Sequence, residues 1–113
     1  CDISNEAFPY MAAGEITVCG GIPARLFRIS FSGELAYEIA VQTRYGDSLM
    51  RTLMEAGEEF NVVPYGTEAL GVMRIEKGHA AGPELNGQTS AYDLGMGGMI
   101  SGKKDFIGYF FIN

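Results

Sequence analysis

Three charged residues sit where an uncommitted charge is costly: Glu34, Glu38 and Arg74. Glu34 follows Ser32-Gly33 in a break between two alternating runs. Glu38 lies inside the second run, Leu35-Ala36-Tyr37-Glu38-Ile39-Ala40-Val41. Glutamate is depleted in strands because a charge fits poorly on a half-buried surface. For Glu38 the simple explanation is exposure to water. Tyr37, Ile39 and Val41 point one way on such a strand, and Glu38, Ala40 and Gln42 the other. Glu34 has a glycine directly before it, which lets the backbone approach a ligand. A carboxylate at a loop edge can accept two parallel hydrogen bonds, and a flat heterocycle with an amino group beside a ring N–H offers that pair. The competing reading is a turn residue that only faces solvent. Arg74 stands among Val72, Met73 and Ile75. A partly buried arginine requires a carboxylate or a phosphate, and both a structural ion pair and an anionic ligand tail meet that need.

Other chemistries find little support. His79 is the only histidine, and Cys1 and Cys19 are the only cysteines, with no Cys-x-x-Cys pair. No metal site is expected from that set. Two cysteines make no disulfide framework; they are expected to be free thiols, not bonded to each other, in a reducing cytosol. The stretch Asp93-Leu94-Gly95-Met96-Gly97-Gly98 has a glycine-rich rhythm but no Gly-Lys-Ser/Thr and no strand–loop–helix frame. It is expected to be a turn and not a nucleotide loop. A formal net charge of −6 argues against nucleic acid, whose phosphates need a basic face. No apolar run approaches the roughly 18 residues of a membrane span, so a cytoplasmic location without membrane contact is expected.

The elements that must position these residues follow from the periods. The 113 residues suffice for one domain. Glu15 to Cys19 alternates as a strand and ends at Gly20-Gly21. Ile22 to Phe31 resumes the alternation, with Phe27, Ile29 and Phe31 on one face and Leu26, Arg28 and Ser30 on the other. Leu35 to Val41 is the third strand, giving an antiparallel meander. Leu49, Met50, Leu53 and Met54 then form a helical stripe, with Thr43 as its cap and Gly57 as its stop. Asn61 to Gly66 reads as a short strand bent away from helix by Pro64. A second helix runs from a Thr67 cap to a Gly78 stop, with Lys77 suited to its C-terminal dipole. Gly71 in its middle suggests that something packs close to the backbone. Ten of the 16 glycines lie from Gly66 onward, so an irregular, turn-rich tail is expected. The fold class is α+β, an antiparallel sheet with helices packed on one face. The opening, Cys-Asp-Ile-Ser-Asn-Glu-Ala-Phe, carries no leader pattern. Residues 1–113 are therefore read as one domain that is a fragment of a longer chain.

Taken together, Phe-Ser-Gly-Glu-Leu-Ala-Tyr-Glu-Ile (31–39), Met-Arg-Ile-Glu-Lys-Gly (73–78), Glu-Leu-Asn-Gly-Gln-Thr (84–89) and Lys-Lys-Asp-Phe-Ile-Gly (103–108) resemble the folate-binding domain of the aminomethyltransferase family. That family includes the T-protein of glycine cleavage, dimethylglycine and sarcosine dehydrogenases, and heterotetrameric sarcosine oxidase. Residues 71–89 are most similar to the sarcosine oxidase α-subunit branch. The resemblance runs from about Ile3 to Gly108 and leaves out the last five residues.

The resemblance implies that the sheet and helices are part of the aminomethyltransferase folate-binding domain. It implies that Glu34, in the aromatic-x-Gly-Glu turn, binds the pterin ring of tetrahydrofolate. Tyr37 and Glu38 would keep the strand and its surroundings in place, Tyr37 would also count among the cofactor-binding residues, and Arg74 would meet the glutamyl carboxylate. It further implies a parent enzyme that oxidatively demethylates sarcosine to glycine, forming 5,10-methylene-tetrahydrofolate and hydrogen peroxide. FAD, FMN and NAD would be bound outside this chain, and the partners would be folate and the other sarcosine oxidase subunits. Two rivals are a T-protein-like aminomethyltransferase and a non-catalytic domain that docks subunits. T-proteins carry an arginine four residues before the Arg74 position, where Leu70 stands here, and a tyrosine shortly after the helix, where Gly82-Pro83 stands. Their catalytic aspartate lies upstream in the family's chain and has no counterpart here. No catalytic residue is therefore expected, and the fragment alone is expected to be inactive.

Overall fold

A computed structural model of the chain describes residues 1–104 and 106–108. The last five residues, which the family resemblance leaves out, lie outside the described set. The chain divides into two compact units, Cys1–Lys77 and Gly78–Asn113.

The first unit holds a three-stranded antiparallel sheet in the order β1 (Ala13–Val18), β2 (Ile22–Phe27), β3 (Glu38–Ala40). This is the expected meander, and with two helices it gives the expected α+β class. In the β1–β2 register Ile16 faces Ala24 and Val18 faces Ile22; in the β2–β3 register Leu26 faces Ile39. Because side chains alternate with period two, these residues share one face. That face carries the buried apolar side chains of the described residues, Leu26 (4% exposed) and Ala24 (6%). The opposite face is occupied by Glu15, Thr17, Pro23, Arg25, Glu38 and Ala40, all exposed. Pro23 is tolerated in the middle strand because β3 pairs only with Arg25, Leu26 and Phe27, so the missing N–H faces no third strand.

The second strand is shorter than the alternation predicts, ending at Phe27 and not at Phe31. Pairing persists for one more residue. The Arg28 N–H donates to the Ala12 carbonyl and the Met11 N–H donates to the Arg28 carbonyl, each at 2.9 Å. The third strand is likewise cut to three residues. The alternation over residues 28–37 gives way to a loop because Ser32-Gly33 bends the chain, and Phe31 is exposed.

Helix α1 spans Gly46–Gly57, and its expected cap and stop both move. Thr43 opens a 3-10 turn, Thr43–Tyr45, and the cap positions before that turn and before α1 are Gln42 and Tyr45, neither of which makes a side-chain cap bond. Gly57 stays right-handed and leads into a second 3-10 turn, Glu58–Phe60; the left-handed residue that ends the run is Asn61, at φ 55°. Gly57 is small for a different reason: Val62 packs where its Cβ would stand. The expected strand over Asn61–Gly66 does not form. Pro64 lacks a ladder donor, and the segment joins no sheet among the described residues. Helix α2 spans Thr67–Lys77. The Leu70 N–H donates to the Gly66 carbonyl at 3.1 Å, so Thr67 lies inside the helix and Gly66 precedes it. Gly78 has φ +79°, consistent with the expected stop. Nothing described packs where a Gly71 Cβ would stand, so the expected close neighbour there is absent among the described residues.

The second unit is built from turns held by side chains. The Ala81 N–H donates to Glu84 Oε2 at 3.0 Å. Asn86 Oδ1 accepts from the Gln88 N–H at 2.8 Å and from Thr89 Oγ1 at 3.2 Å. Ser90 and Asp93 cap a single helical turn reciprocally: the Ser90 N–H and hydroxyl donate to Asp93 Oδ2, and the Asp93 N–H donates to Ser90 Oγ. Gly97–Met99 is a 3-10 turn, and no strand lies between α2 and it among the described residues. Cys1 is exposed and Cys19 half-buried, and they are not bonded to each other.

Candidate functional site

Glu34 lies near the middle of the connection, residues 28–37, that joins β2 to β3. That connection is fixed at both feet and at its tip. At the feet, the Arg28 guanidinium stands over the Tyr37 ring, 5.8 Å from its centroid, in cation–π geometry. Both residues also grip the N-terminal segment. Arg28 Nη1 donates to the Phe8 carbonyl at 2.8 Å and Nη2 to Asn5 Oδ1. The Tyr37 hydroxyl donates to the Ile3 carbonyl at 2.8 Å. Tyr37 thus ties the connection to the N-terminal segment, and its hydroxyl already has an acceptor.

At the tip, Ser32 is buried although it carries a hydroxyl. Its Oγ lies 3.5 Å from Ser30 Oγ and accepts from the Glu34 N–H at 3.5 Å, a side-chain turn of the kind serine favours. Gly33 has φ +80°, a backbone region that side chains other than glycine's rarely adopt. The Lys77 stem, from the last turn of α2, occupies the space where a Gly33 Cβ would stand. Gly33 thus serves two needs at once, a left-handed turn and a close neighbour.

Glu34 is exposed, and its carboxylate has no hydrogen-bond or ion-pair partner among the described residues. Glu38 is exposed on the open face of the sheet, as the alternation predicts. Arg74 lies on α2 three residues before Lys77. It is 8% exposed, and it is engaged within the chain. Residues three apart share a helix face, so the helix that reaches the Gly33 turn through Lys77 carries Arg74 on the same side.

The chemistry available here is recognition. A fixed turn presents an uncommitted carboxylate, which can accept two N–H bonds from a planar ring. No group of three or more metal-ligating side chains occurs among the described residues. An open cavity of about 600 Å³ lies on the sheet, lined in part by Glu15, Thr17, Pro23, Arg25 and Gln42; Glu34, Tyr37 and Arg74 do not line it. No helix of the described residues is long and apolar enough to cross a membrane.

Arg28 and Lys77 are the members of this arrangement that sequence patterns missed. Lys77 had a sufficient local explanation at a helix end, and Arg28 looked like the polar position of a continuing strand. The signal available for Lys77 was the Ser-Gly-Glu glycine, which required some close neighbour without saying which.

Comparison with known proteins gives a family and several relatives. The GCVT N-terminal domain family matches residues 1–104. The sarcosine oxidase subunit alpha of Rhizobium meliloti (strain 1021) is 54% identical over 109 residues, covering 95% of this chain and 11% of that protein. The mitochondrial dimethylglycine dehydrogenase of Mus musculus is 33% identical over 110 residues, covering 95% of this chain and 12% of that protein. An aminomethyltransferase of Chloroherpeton thalassium is 30% identical over 109 residues, covering 95% of this chain and 30% of that protein. The chain thus spans 11% of the length of the sarcosine oxidase α subunits it matches.

Proposed function

The chain belongs to the GCVT N-terminal domain family, and from that premise we propose that it forms the tetrahydrofolate-binding part of a sarcosine oxidase α subunit. The observation that carries this is the Glu34 carboxylate, exposed and without a protein partner among the described residues, on a turn fixed by Arg28, Tyr37, Ser32 and Lys77. Orienting a planar ring requires an acceptor whose own position is settled before binding. Tetrahydrofolate supplies, when bound, a secondary amine able to take up a one-carbon unit. The chain's contribution is to hold the ring edge so that this amine faces the carbon donor; positioning of this kind is worth roughly 7–11 kcal/mol in a bimolecular step.

The whole enzyme would oxidise sarcosine, with dioxygen reduced to hydrogen peroxide, glycine released and the methyl carbon carried away as 5,10-methylene-tetrahydrofolate. Flavin and NAD would lie on other parts of the assembly. The family resemblance gives Arg74 the glutamyl carboxylate. Its burial and existing engagement favour a structural role instead, holding α2 behind the site. Two free thiols suit a reducing cytosol.

A second reading rests on a separate observation. Met50, Leu53, Phe60, Val62 and Val63 are exposed beside a cavity of about 550 Å³. Such a face favours docking against the remainder of the protein or a partner subunit, and it is compatible with folate binding at the Glu34 turn.

Titration of the full-length protein with tetrahydrofolate tests the folate assignment. Glu34→Gln replaces one acceptor by a donor that faces a donor. Charge-assisted hydrogen bonds contribute about 1.5–3 kcal/mol each, so affinity should fall roughly ten- to a hundredfold at 1.4 kcal/mol per decade. Thermal stability should be unchanged, and Glu38→Gln should bind as wild type does. Unaltered binding by Glu34→Gln, or unfolding of the variant, would leave Glu34 a turn residue only.

A further inference from the structure

We propose that Lys77 is a positioning residue for the Glu34 turn, acting through its aliphatic stem and not through its charge. The inference rests on the folate reading and assigns a role to a residue outside the Glu34, Tyr37 and Arg74 set. The stem occupies the space a Gly33 Cβ would fill, with Cγ, Cδ and Cε all against that point. Gly33 is left-handed at φ +80° and immediately precedes Glu34. A glycine in that conformation is the residue whose backbone loses most freedom on ordering. Something must hold it if Glu34 is to be aimed before a ligand arrives. The hydrogen bond from the Glu34 N–H to Ser32 Oγ is long at 3.5 Å, so it is a weak restraint by itself. The lysine stem supplies the second restraint from outside the loop.

Lys77 is also the last residue of α2. Its stem lies against Gly33 while the residue as a whole is exposed, so the ammonium can stay with water, the usual division of labour for this side chain. Among the described residues the ammonium has no hydrogen-bond or ion-pair partner. The turn and the helix are therefore coupled by packing: a shift of the α2 terminus moves the backbone that carries Glu34.

Five variants of the full-length protein, four single and one double, test this, each titrated with tetrahydrofolate and melted in parallel. Lys77→Ala frees the turn and should weaken binding roughly tenfold, about 1.4 kcal/mol, the cost of re-ordering one backbone residue on binding. Lys77→Met keeps a stem of similar length without charge and should recover most of that loss. Gly33→Ala should weaken binding in the wild type and do so less in the Lys77→Ala background, where space for a methyl exists; this non-additivity reads the contact directly. Glu34→Gln is the reference. If Glu34→Gln weakens binding and Lys77→Ala does not, the inference is overturned while the folate reading stands. If Lys77→Met is as weak as Lys77→Ala, the charge is what matters and the inference is again overturned. If Glu34→Gln binds normally, the folate reading fails and the inference with it.

Discussion

Glu34 and Glu38 are four residues apart and chemically identical, yet their surroundings give them different capacities. Glu38 projects from a strand into water on the open face of the sheet, where solvent satisfies it from every side. Glu34 is exposed too, but it is presented by a turn whose neighbours are fixed. Arg74 is the contrasting case, a charge enclosed at 8% exposure and already engaged. Its truncation removes packing and strands whatever it engages. Arg74→Met in the full-length protein is therefore expected to cost roughly 3 kcal/mol or more. The check is a lowered melting temperature, together with equal affinity loss for tetrahydrofolate and for tetrahydropteroate, which lacks the glutamyl tail. A selective loss for the ligand with the tail would return Arg74 to the anion-binding role.

Among the elements, the sheet and the turn-built second unit hold themselves by opposite means. The sheet depends on cross-strand apolar pairs, Ile16 with Ala24 and Leu26 with Ile39. The turns after Gly78 depend on short polar side chains that satisfy the backbone. Ser90 and Asp93 form the clearest of these, a reciprocal cap like those at helix N-termini. The hydroxyl and N–H of Ser90 hold the Asp93 carboxyl below its ordinary value. A depressed carboxyl stabilises the cap above the unfolded aspartate range, and that contribution disappears as pH falls through the folded value. The Ser90 amide resonance should accordingly be insensitive to pH near neutrality and move only below the usual aspartate range. In Asp93→Asn the acid-range movement should be lost. A Ser90 amide that titrates at or above the ordinary aspartate value would contradict the cap.

At the scale of the whole molecule the apolar residues outnumber the places to bury them. Hydrophobic types make up 47% of the sequence, yet Ala24 and Leu26 are the buried apolar residues among those described. Phe60 at 76% and Val63 at 74% stand open on the α1 side. The chain spans 11% of the sarcosine oxidase α subunit it matches, and under the proposed reading those faces would be available to the rest of such a subunit. The isolated 113-residue chain is expected to bind a hydrophobic dye and to elute from gel filtration as oligomers or aggregates. The full-length protein is expected to do neither. A monomeric fragment with a sharp, cooperative melt would show that this segment needs no covering.

The meander, the two helices and their order were legible in the sequence, because period-two and period-3.6 patterns and glycine breaks are local properties. Residues 13–27 alternate strongly enough to fix which face of the hairpin is apolar. The Ser32-Gly33-Glu34 turn was legible for the same reason. What the sequence left open was how that turn is held. Arg28 meets Tyr37, Tyr37 meets Ile3 across 34 residues, and Gly33 meets Lys77 from another element, separations at which no local pattern operates. The strand ends were also undecided: alternation continues through Ile29 and Phe31, but a strand lasts only as long as a partner remains to accept its hydrogen bonds, and pairing beyond Phe27 stops after Arg28. The sequence therefore determined the kinds of element and the chemical groups available. Tertiary contact decided which groups were consumed as fasteners and which, at Glu34, was left facing outward.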